Sequence, residues 1–417
     1  MIGVDEALTM VLDAVGPLGV ERVALLDALG RTLAQEIQSP RDIPGFDNSA
    51  MDGYAVRSGD IAGAGVDHPV RLEVTETVPA GTMPAHEVQP GQAARTMTGA
   101  PIARGADAIV PVEQTRGSGD QVEILASVPP NAFVRPRGED VKHGEVAMTP
   151  GKLLGAADLG MLASLNRAMV AVYRRPRVAI VATGDELVDV DELPTGAQVV
   201  NSSAYALWGA IREAGGEASI LRVARDTPAE VQERLTEAVA FDAVLTTGGV
   251  SVGQFDHVKT VLDELGMKTL FHGVAQKPGR PLKFGTLRDR PVFGLPGNPV
   301  STLVCFYLYA RPALRKMSGM RQLGLPRITA RCETDIKLAK GLTEFVRVKV
   351  ERRDHEYFAV PTGHQGSGIF SSIARADGLL IGPAETNQLR PGDHCAVLLL
   401  GTGAGDTAFF ERRFHKN

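Results

Sequence analysis

The chain has 417 residues, of which 44% are hydrophobic, 22% charged and only 5% aromatic, and its formal net charge is −5. This composition excludes a disordered or fibrous protein, and the length allows about two to four domains. The acidic balance and the scarcity of aromatic residues argue against a nucleic-acid partner, which needs a basic surface and often stacked aromatic side chains.

Two features of the sequence predict a cytoplasmic protein without a membrane partner. There is no run of about 18 uncharged apolar residues, and the first residues include Asp5 and Glu6 where a signal peptide would be basic. The cysteines Cys305, Cys332 and Cys395 lie far apart, which predicts neither a disulfide framework nor a cysteine-rich zinc site. We therefore expect a reducing compartment.

The N-terminal part of the chain predicts helices around a small β domain. Apolar residues recur at helical spacing from Leu8 to Val15, and the segment LLDALGRTLAQEI (25–37) predicts a second short helix. From about 54 to 138, short apolar segments separated by Gly and Pro predict β-strands. The segment GAADLGMLASL (155–165) predicts a further helix.

The pattern changes at Pro176 to strands that alternate with helices. The segment RVAIVATG (177–184) has the continuous apolar run of a buried parallel strand, and a helix is predicted in 202–214. Another helix begins with a predicted capping box, in which Thr227 is the N-cap and Glu230 stands three residues later. This alternation predicts an α/β domain with a mostly parallel sheet.

From about residue 327 the pattern is entirely β. The segment TEFVRVKVERR (343–353) alternates, so that Val346, Val348 and Val350 share one face. Further short apolar segments follow at close spacing, which predicts a small barrel or sandwich.

Three glycine-bearing segments each follow a predicted strand of the α/β domain. They are TGDEL (183–187), TGGVSVG (247–253) and LPGNP (295–299). Each alone could be only a tight turn, but open parallel sheets bind ligands at this edge. Glycine-rich turns before helices also present backbone N–H groups to anions. Together the three segments favour a shared phosphate or oxyanion site.

Acidic side chains occupy the same strand ends. Asp185, Glu186, Asp226 and Asp256 lie at predicted strand-to-helix junctions. Each could be a helix N-cap, but several carboxylates at one sheet edge repel each other unless a cation lies between them. Mg²⁺ is the cation that prefers such oxygen ligands and is shared with substrate phosphates. Lys277 and Arg280 of the QKPGRP segment could neutralise phosphate or could belong to a solvated turn.

A competing interpretation comes from Gly249–Gly253, which fits the G-x-S-x-G nucleophile elbow of α/β-hydrolases with Ser251 as the nucleophile. Asp263 and His272 would have to complete the triad, but they follow too closely for an intervening strand and helix. The preceding Thr-Gly-Gly suits phosphate better than an ester, so a serine hydrolase remains a remote alternative.

Taken together, the polar segments occur in an order that resembles the MoeA family of molybdopterin molybdenumtransferases, which is related to the C-terminal half of gephyrin. The likeness runs from residue 4 to about 400. The segments that carry it are DNSAMDGYAVR (47–57), RTMTGAP (95–101), GADAIVPVEQT (105–115), GEDV (138–141), PRVAIVATGDELV (176–188), NSSAY (201–205), RDTPAEV (225–231), TTGGVSVGQFDHV (246–258), QKPGRP (276–281), GLPGNPVST (294–302) and TGHQGSGIFSS (362–372).

The resemblance implies a multi-domain α/β plus β fold and an elongated homodimer. Its site would lie in a cleft between the α/β domain of one subunit and the second and fourth domains of the other. The implied domains are an α/β domain of the molybdopterin-binding type (1–20 and 175–326), a helical linker and dimerisation domain (21–42 and 139–174), an inserted β domain (43–138) and a C-terminal β-barrel-like domain (327–417).

The resemblance also implies an activity and partners. Such enzymes cleave the phosphoanhydride of adenylyl-molybdopterin, insert molybdenum from molybdate into the dithiolene and release AMP, with Mg²⁺ as the divalent ion. Transient contact with a molybdopterin adenylyltransferase or with apo-molybdoenzymes would follow. The alternatives are a molybdopterin adenylyltransferase, whose family uses a single α/β domain and a TGGTG-type loop, and a non-catalytic molybdopterin-binding scaffold.

Transferred by motif, the implied functional positions fall in three groups. The catalytic residues would be Asp52, Asp140, Glu186, Asp226 and Asp256, of which Glu186, Asp226 and Asp256 would hold the metal. The substrate-binding residues would be Thr98, Gly248, Gly249, Ser251, Lys277, Arg280, Pro296, Gly297, Asn298, Arg347 and Ser367. The chain departs from the family pattern at Arg280, where Lys is frequent, at Gly273, where a basic residue sometimes stands, and at Asn166, where Gly is usual.

Overall fold

The computed structural model describes residues 1–117, 119–249 and 257–401, and the chain forms two compact units. The first unit comprises Met1–Ala34, Gly151–Leu159 and the described residues of 168–401. The second comprises Gln35–Pro150 and Gly160–Arg167. Within the described ranges, no helix has both the length and the apolar character needed to cross a membrane.

A six-stranded sheet forms the centre of the first unit and confirms the predicted α/β domain. Its first four strands are parallel to their neighbours, and the last two are joined by antiparallel pairings. In sheet order the strands are Glu217–Ile220, Arg177–Ala182, Ala243–Thr247, Arg290–Leu295, Lys283–Leu287 and Lys268–His272.

Helices cover both faces of this sheet, because its strands are apolar on both sides. One face packs against Val4–Asp13, Ser202–Glu213 and the continuous helical stretch Pro299–Cys305, Phe306–Ala310 and Arg311–Met317, whose middle part is a π-helix. The other face packs against Pro228–Ala238 and His257–Glu264.

The ends of two of these helices follow the predicted signals. Thr227 accepts a hydrogen bond from the N–H of Glu230 (3.3 Å), as an N-cap does. The Glu230 carboxylate accepts from the N–H of Arg225 (2.9 Å), whereas a capping box would use the N-cap N–H. The preceding helix ends before Gly215, whose φ of 90° suits glycine.

The C-terminal part of the first unit is a closed five-stranded barrel. Its strands are Arg327–Cys332, Thr343–Arg353, Glu356–Pro361, Gly378–Gly382 and His394–Leu399. Closure follows because Thr343–Arg353 pairs with both Glu356–Pro361 and Gly378–Gly382. The short strand Gln276–Lys277 adds to the edge of Thr343–Arg353 and joins the barrel to the α/β domain. A short helix, Phe370–Ala374, precedes the strand Gly378–Gly382.

The second unit is built on another six-stranded sheet, in agreement with the predicted β domain. In sheet order the strands are Ala108–Pro111, Gly53–Val56, Gln92–Thr96, Val70–Val78, Gln121–Ile124 and Thr115–Arg116. Two smaller strand pairs join Asn48–Ser49 to Val134–Arg135 and Ile37–Gln38 to Val146–Met148.

The predicted second helix at 25–37 is wrong. Only a 3-10 turn, Leu25–Ala28, forms there, between the strand Val20–Ala24 and an extended segment. Gly30 has a φ of 68°, which ends the turn, and Thr32 and Leu33 then form β-bridges with Leu153 and Val172. The helix Ala156–Ser164 forms as predicted, and Asn166 after it has a φ of 57°, a conformation that Asn tolerates.

Candidate functional site

Loops at the carboxyl ends of three neighbouring parallel strands enclose a cavity of about 580 Å³, which we call the glycine pocket. They belong to the three glycine-bearing segments identified in the sequence, of which 247–253 is described only as far as Gly249. The parallel order of the strands brings these loops to one edge. The polar and glycine residues that line the pocket are Thr183, Glu186, Asn201, Ser202, Ser203, Thr247, Gly248, Gly249, Gly297, Asn298 and Gly368.

Two glycines of this pocket, Gly248 and Gly249, are required by its geometry. Gly248 has a φ of 91°, and a Cβ on it would lie 2.8 Å from the carbonyl oxygen of Thr183. Gly249 has a φ of 68°, and a Cβ there would lie 2.3 Å from Cγ2 of Val258. A Cβ on Gly297 would lie 3.5 Å from Cα of Gly248. The backbone itself therefore forms the wall, as in sites where a phosphate approaches main-chain N–H groups.

A second cavity of about 570 Å³ lies beside the first, and we call it the cationic pocket. Asn298 lines both cavities, and its Nδ2 donates a hydrogen bond to the Ser367 hydroxyl (3.1 Å). The charged and polar residues around this second cavity are Lys277, Arg280, Asn298, Ser301, Glu344, Arg347, His364, Gln365 and Ser367. Three permanent cations against one carboxylate give it a positive balance that favours an anion.

Arg347 is the most unusual residue of the cationic pocket, because it is only 2% exposed. Its Nε donates to the Ser372 hydroxyl (3.2 Å) and its Nη2 to the carbonyl of Gly366 (3.1 Å). Burial lowers the pKa of Arg347, and the nearby charge of Glu344 opposes that shift. The two hydrogen bonds hold the guanidinium plane in a fixed orientation at the pocket wall.

Lys277 and Arg280 reach the same pocket from the QKPGRP turn. The Lys277 ammonium is paired with the carboxylate of Glu344 at 2.9 Å. Glu344 is 4% exposed, and its second oxygen accepts from the N–H of Ala339 (2.8 Å). Arg280 is exposed, and its Nε contacts the sulfur of Met1 (3.1 Å). The turn therefore contributes one cation held by a carboxylate, Lys277, and one exposed cation, Arg280, which has no carboxylate partner among the described residues.

The carboxylates predicted to hold a metal are only partly described. Glu186 is exposed and lines the glycine pocket. Asp226 lies on the neighbouring loop, where its N–H donates to the Asp185 carboxylate (3.1 Å). Asp256, like Ser251, lies outside the described residues. Among residues 1–117, 119–249 and 257–401, no group of three or more His, Cys, Asp or Glu side chains could hold a metal.

The remaining three predicted positions belong to the second unit. The Asp52 carboxylate accepts from both the N–H and the hydroxyl of Thr98, each at 2.7 Å. These two hydrogen bonds, the backbone one first, lower the pKa of Asp52, so it is ionised at neutral pH. Asp140 is exposed, and its N–H donates to the carbonyl of Ile43 (3.0 Å). The structure thus brings Asp52 and Thr98 together from two neighbouring solvent-facing turns.

Several residues of the two pockets escaped the sequence analysis. Glu344 shares its strand face with Val346 and Val348, so an acidic residue at an inward-facing position was the available signal. Asn201 and Ser203 line the glycine pocket from a helix start, where they resemble ordinary capping residues. His364 and Gln365 lie in a segment whose composition indicates only a loop.

Similarity to known proteins extends over nearly the whole chain. Three family models match it: MoeA N-terminal region (domain I and II) over 2–166, probable molybdopterin binding domain over 179–316, and MoeA C-terminal region (domain IV) over 329–400. A molybdopterin molybdenumtransferase of Nostoc sp. is 38% identical over 399 residues, covering 91% of this chain and 85% of the relative. Molybdopterin molybdenumtransferase 1 of Mycobacterium tuberculosis is 36% identical over 413 residues, covering 93% and 96%. A crystal structure of a molybdopterin biosynthesis MoeA protein from Pyrococcus horikoshii is 32% identical, with a TM-score of 0.83 and coverage of 96% and 100%.

Proposed function

Because this chain belongs to the MoeA family of molybdopterin molybdenumtransferases, we propose that its two adjoining pockets insert molybdate into adenylyl-molybdopterin with release of AMP. An enzyme of this type acts in the biosynthesis of the molybdenum cofactor. The observation that carries the proposal is that Asn298 lines both pockets, so a glycine-walled site and a cationic site adjoin at this residue. The reaction needs such a pair: one site for a pyrophosphate and one for a small dianion.

The glycine pocket would hold the pyrophosphate of the substrate. Backbone N–H groups near Gly248, Gly249 and Gly297 can approach phosphate oxygens closely, because no side chains intervene. Asn298 would form the side shared with the cationic pocket, which Pro296 lines next to it. Ser251 would offer its hydroxyl or N–H to a phosphate rather than act as a nucleophile.

The cationic pocket would hold molybdate. Arg347 presents a planar group already oriented by Ser372 and Gly366, and such a fork binds oxyanions by paired hydrogen bonds. Lys277, Arg280 and Ser367 would complete the contacts. Since Lys277 is already paired with Glu344, the entering anion competes with a carboxylate for this ammonium.

The carboxylates at the strand ends are proposed to hold Mg²⁺. The carboxylates of the exposed Glu186 and the half-buried Asp226 offer the hard oxygen ligands that this ion prefers, and Asp256 would add a third. When bound there, Mg²⁺ would neutralise phosphate charge at the bond that is cleaved. Without it, carboxylates beside a pyrophosphate would only repel the substrate. Asp52 and Asp140 are proposed to act on substrate or metal as the family resemblance implies.

The activity itself is tested by measuring AMP release from purified adenylyl-molybdopterin with and without molybdate and Mg²⁺. We expect release to require both ions. AMP release at the same rate with and without molybdate would indicate a phosphohydrolase. Consumption of ATP to form adenylyl-molybdopterin, with no AMP release when molybdate is added, would indicate the adenylyltransferase alternative. Tight binding of substrate without turnover would indicate a scaffold.

Asp226 provides a test of the metal proposal, with its neighbour Thr227 as the control. Asp226→Ala should raise the Mg²⁺ concentration for half-maximal AMP release at least about 10-fold, since one ligand of the cation is lost. Thr227→Ala removes the helix cap seen in the structure, so it should lower stability by about 0.5–2 kcal/mol. A Mg²⁺ titration and a thermal melt of each variant separate the two roles. If Asp226→Ala kept the wild-type Mg²⁺ dependence, Asp226 would be only a structural residue of the loop.

We also propose that the protein is a cytoplasmic homodimer. Family resemblance supports the dimer, because it implies a site completed by a second subunit, and closed two-fold dimers are the commonest assembly of soluble proteins. Light scattering coupled to gel filtration should give twice the mass of one chain at the concentration used for assays. A fully active monomer under the same conditions would refute the dimer while leaving the activity in place.

A further inference from the structure

Behind the turn that carries Lys277 and Arg280 lies a group of three polar side chains that the proposed function has not used. They are Gln276, Cys305 and Tyr309, and each is 0% exposed. A buried polar group lowers the stability of the fold unless it is hydrogen-bonded. The hydrogen-bond partners of these three side chains therefore indicate their role. We call these three residues the buried triad.

The buried triad bonds the turn from its interior side. Gln276 donates from Nε2 to the carbonyl of Pro278 (2.9 Å), and its Oε1 accepts from the Tyr309 hydroxyl. The Cys305 thiol donates to the carbonyl of Gly279 (3.4 Å). Two consecutive carbonyls of the turn are thereby tied to the interior, and the next one, that of Arg280, accepts from the N–H of Val274 (2.9 Å).

The turn also presses directly onto the buried triad. Gly279 has a φ of 90°, and a Cβ on it would lie 2.4 Å from the Cys305 sulfur and 2.9 Å from Nε2 of Gln276. No side chain fits between the turn and the groups that hold it. The height of the turn above the protein interior is therefore set by these contacts.

One continuous helical stretch connects the buried triad to the rest of the cationic pocket. Asn298 precedes the helix Pro299–Cys305, and Ser301 in its first turn lines the cationic pocket. Cys305 ends that helix, and Tyr309 lies in the π-helical segment that follows. The same backbone thus places Asn298 and Ser301 at the pocket wall and Cys305 and Tyr309 beneath the turn.

The buried triad is also electrically neutral. Burial raises the pKa of the Cys305 thiol and of the Tyr309 hydroxyl, so both keep their protons at physiological pH. Gln276 carries no charge. The turn offers carbonyl oxygens at this place, so the groups beneath it must be donors. The amide of Gln276 and the thiol of Cys305 donate without adding a charge beside Lys277 and Arg280.

We propose that Gln276, Cys305 and Tyr309 are positioning residues that set the separation of Lys277 and Arg280 for an oxyanion. This inference rests on the proposed function of the cationic pocket. None of the three would touch molybdate, yet each hydrogen bond lost would let the turn sample geometries that bind the anion less well. Anion affinity should therefore depend on groups buried behind the pocket.

Paired substitutions test this proposal. Cys305→Ser keeps a donor for the Gly279 carbonyl, whereas Cys305→Val removes it at similar volume. Gln276→Met and Tyr309→Phe each remove one link of the buried triad. As a control, Cys332→Val replaces another buried thiol, in the barrel core and outside the cationic pocket. Calorimetry of the full-length protein measures the binding of molybdate alone. Kinetics of AMP release give kcat and the half-saturating molybdate concentration, and thermal melts give the stability of each variant.

We expect Cys305→Val, Gln276→Met and Tyr309→Phe each to weaken molybdate binding by about 3- to 10-fold, the equivalent of one hydrogen bond. Their kcat at saturating molybdate should stay within about two-fold of wild type, since the reacting groups are untouched. Cys305→Ser should restore most of the affinity, and Cys332→Val should leave it unchanged.

Three outcomes would overturn the proposal, and they are distinguishable. If the variants melt at lower temperature but bind molybdate like wild type, the buried triad is structural only. If Cys305→Ser and Cys305→Val lose the same affinity, the donor is not what matters, and this pair decides the question even where Gln276→Met fails to fold. If wild-type protein binds no molybdate, the proposed function of the cationic pocket fails first.

Discussion

Replacing Arg347 by methionine should weaken molybdate binding by at least about 100-fold and lower kcat/KM to match. Each hydrogen bond from a charged group contributes about 1.5–3 kcal/mol, and about 1.4 kcal/mol is a factor of ten in affinity. Arg347 is already fixed by Ser372 and Gly366, so its fork binds an oxyanion with little further ordering. Methionine keeps much of the apolar volume of the side chain but removes the charge and all five donors.

Lys349→Met is the matched control for this prediction. Lys349 lies two residues further along the same strand, is exposed and pairs with Asp377 (3.1 Å) outside the cationic pocket. It removes the same net charge, so any general electrostatic effect appears in both variants. Arg347→Lys should fall between wild type and Arg347→Met, because it keeps the charge and loses the planar fork. Equal molybdate affinity in wild type and Arg347→Met would remove Arg347 from the site.

The second large effect is expected at Gly248. Gly248→Ala should lower kcat/KM for adenylyl-molybdopterin at least about 100-fold, because the added Cβ forces the pocket wall away from the Thr183 carbonyl, and displacements of about 1 Å can cost that much. The alanine also strains the backbone, where a left-handed conformation costs an L-residue about 1–2 kcal/mol.

Gly266→Ala separates these two contributions. Gly266 has a φ of 87°, close to the 91° of Gly248, but no atom lies within 4 Å of its Cβ position. Its substitution should carry the backbone strain without the collision and without loss of turnover. Kinetics and thermal melts of both variants are compared. If the two lose turnover equally, backbone strain alone explains the loss, and the glycine pocket has no special need for Gly248.

The glycine pocket was predictable from sequence because one topological rule suffices. Parallel strands place their carboxyl ends at one edge, so segments separated by more than 100 residues, such as 183–187 and 295–299, come together once the α/β pattern is identified. No comparable rule predicts the contact of Asp52 with Thr98. There the residues alone indicated two turns, and the family resemblance supplied their function.

Arg347 shows where local pattern reasoning fails. Alternation in the strand Thr343–Arg353 correctly places Val346 and Val348 in the barrel core, and it predicts that Arg347 faces outward. The outward face is nevertheless covered by the 362–372 segment, whose Gly366 and Ser372 bond the guanidinium. That covering is a tertiary contact, and no periodicity within the strand encodes it.

The prediction of a helix at 25–37 was wrong because tertiary contacts overrode a local pattern that was compatible with a helix. Its apolar spacing was compatible with a helix, but Gly30 and the bridges of Thr32 and Leu33 to Leu153 and Val172 favoured an extended chain.

The buried triad also could not be predicted from the sequence. Gln276 and Tyr309 are 33 positions apart, and Tyr309 lies in a π-helical segment. The hydrogen bond between these two side chains depends on tertiary packing, which local sequence patterns do not encode.

We propose that cleavage of the adenylyl bond and insertion of molybdenum are one coupled reaction at adjoining pockets. It is tested most directly by measuring, in the same single-turnover sample, the AMP released and the molybdenum bound to the dithiolene. We expect one AMP for each molybdenum inserted at every molybdate concentration, and a parallel fall of both in Arg347→Met and in Gly248→Ala. AMP released at the wild-type rate without inserted molybdenum, in wild-type protein supplied with molybdate and Mg²⁺, would contradict it.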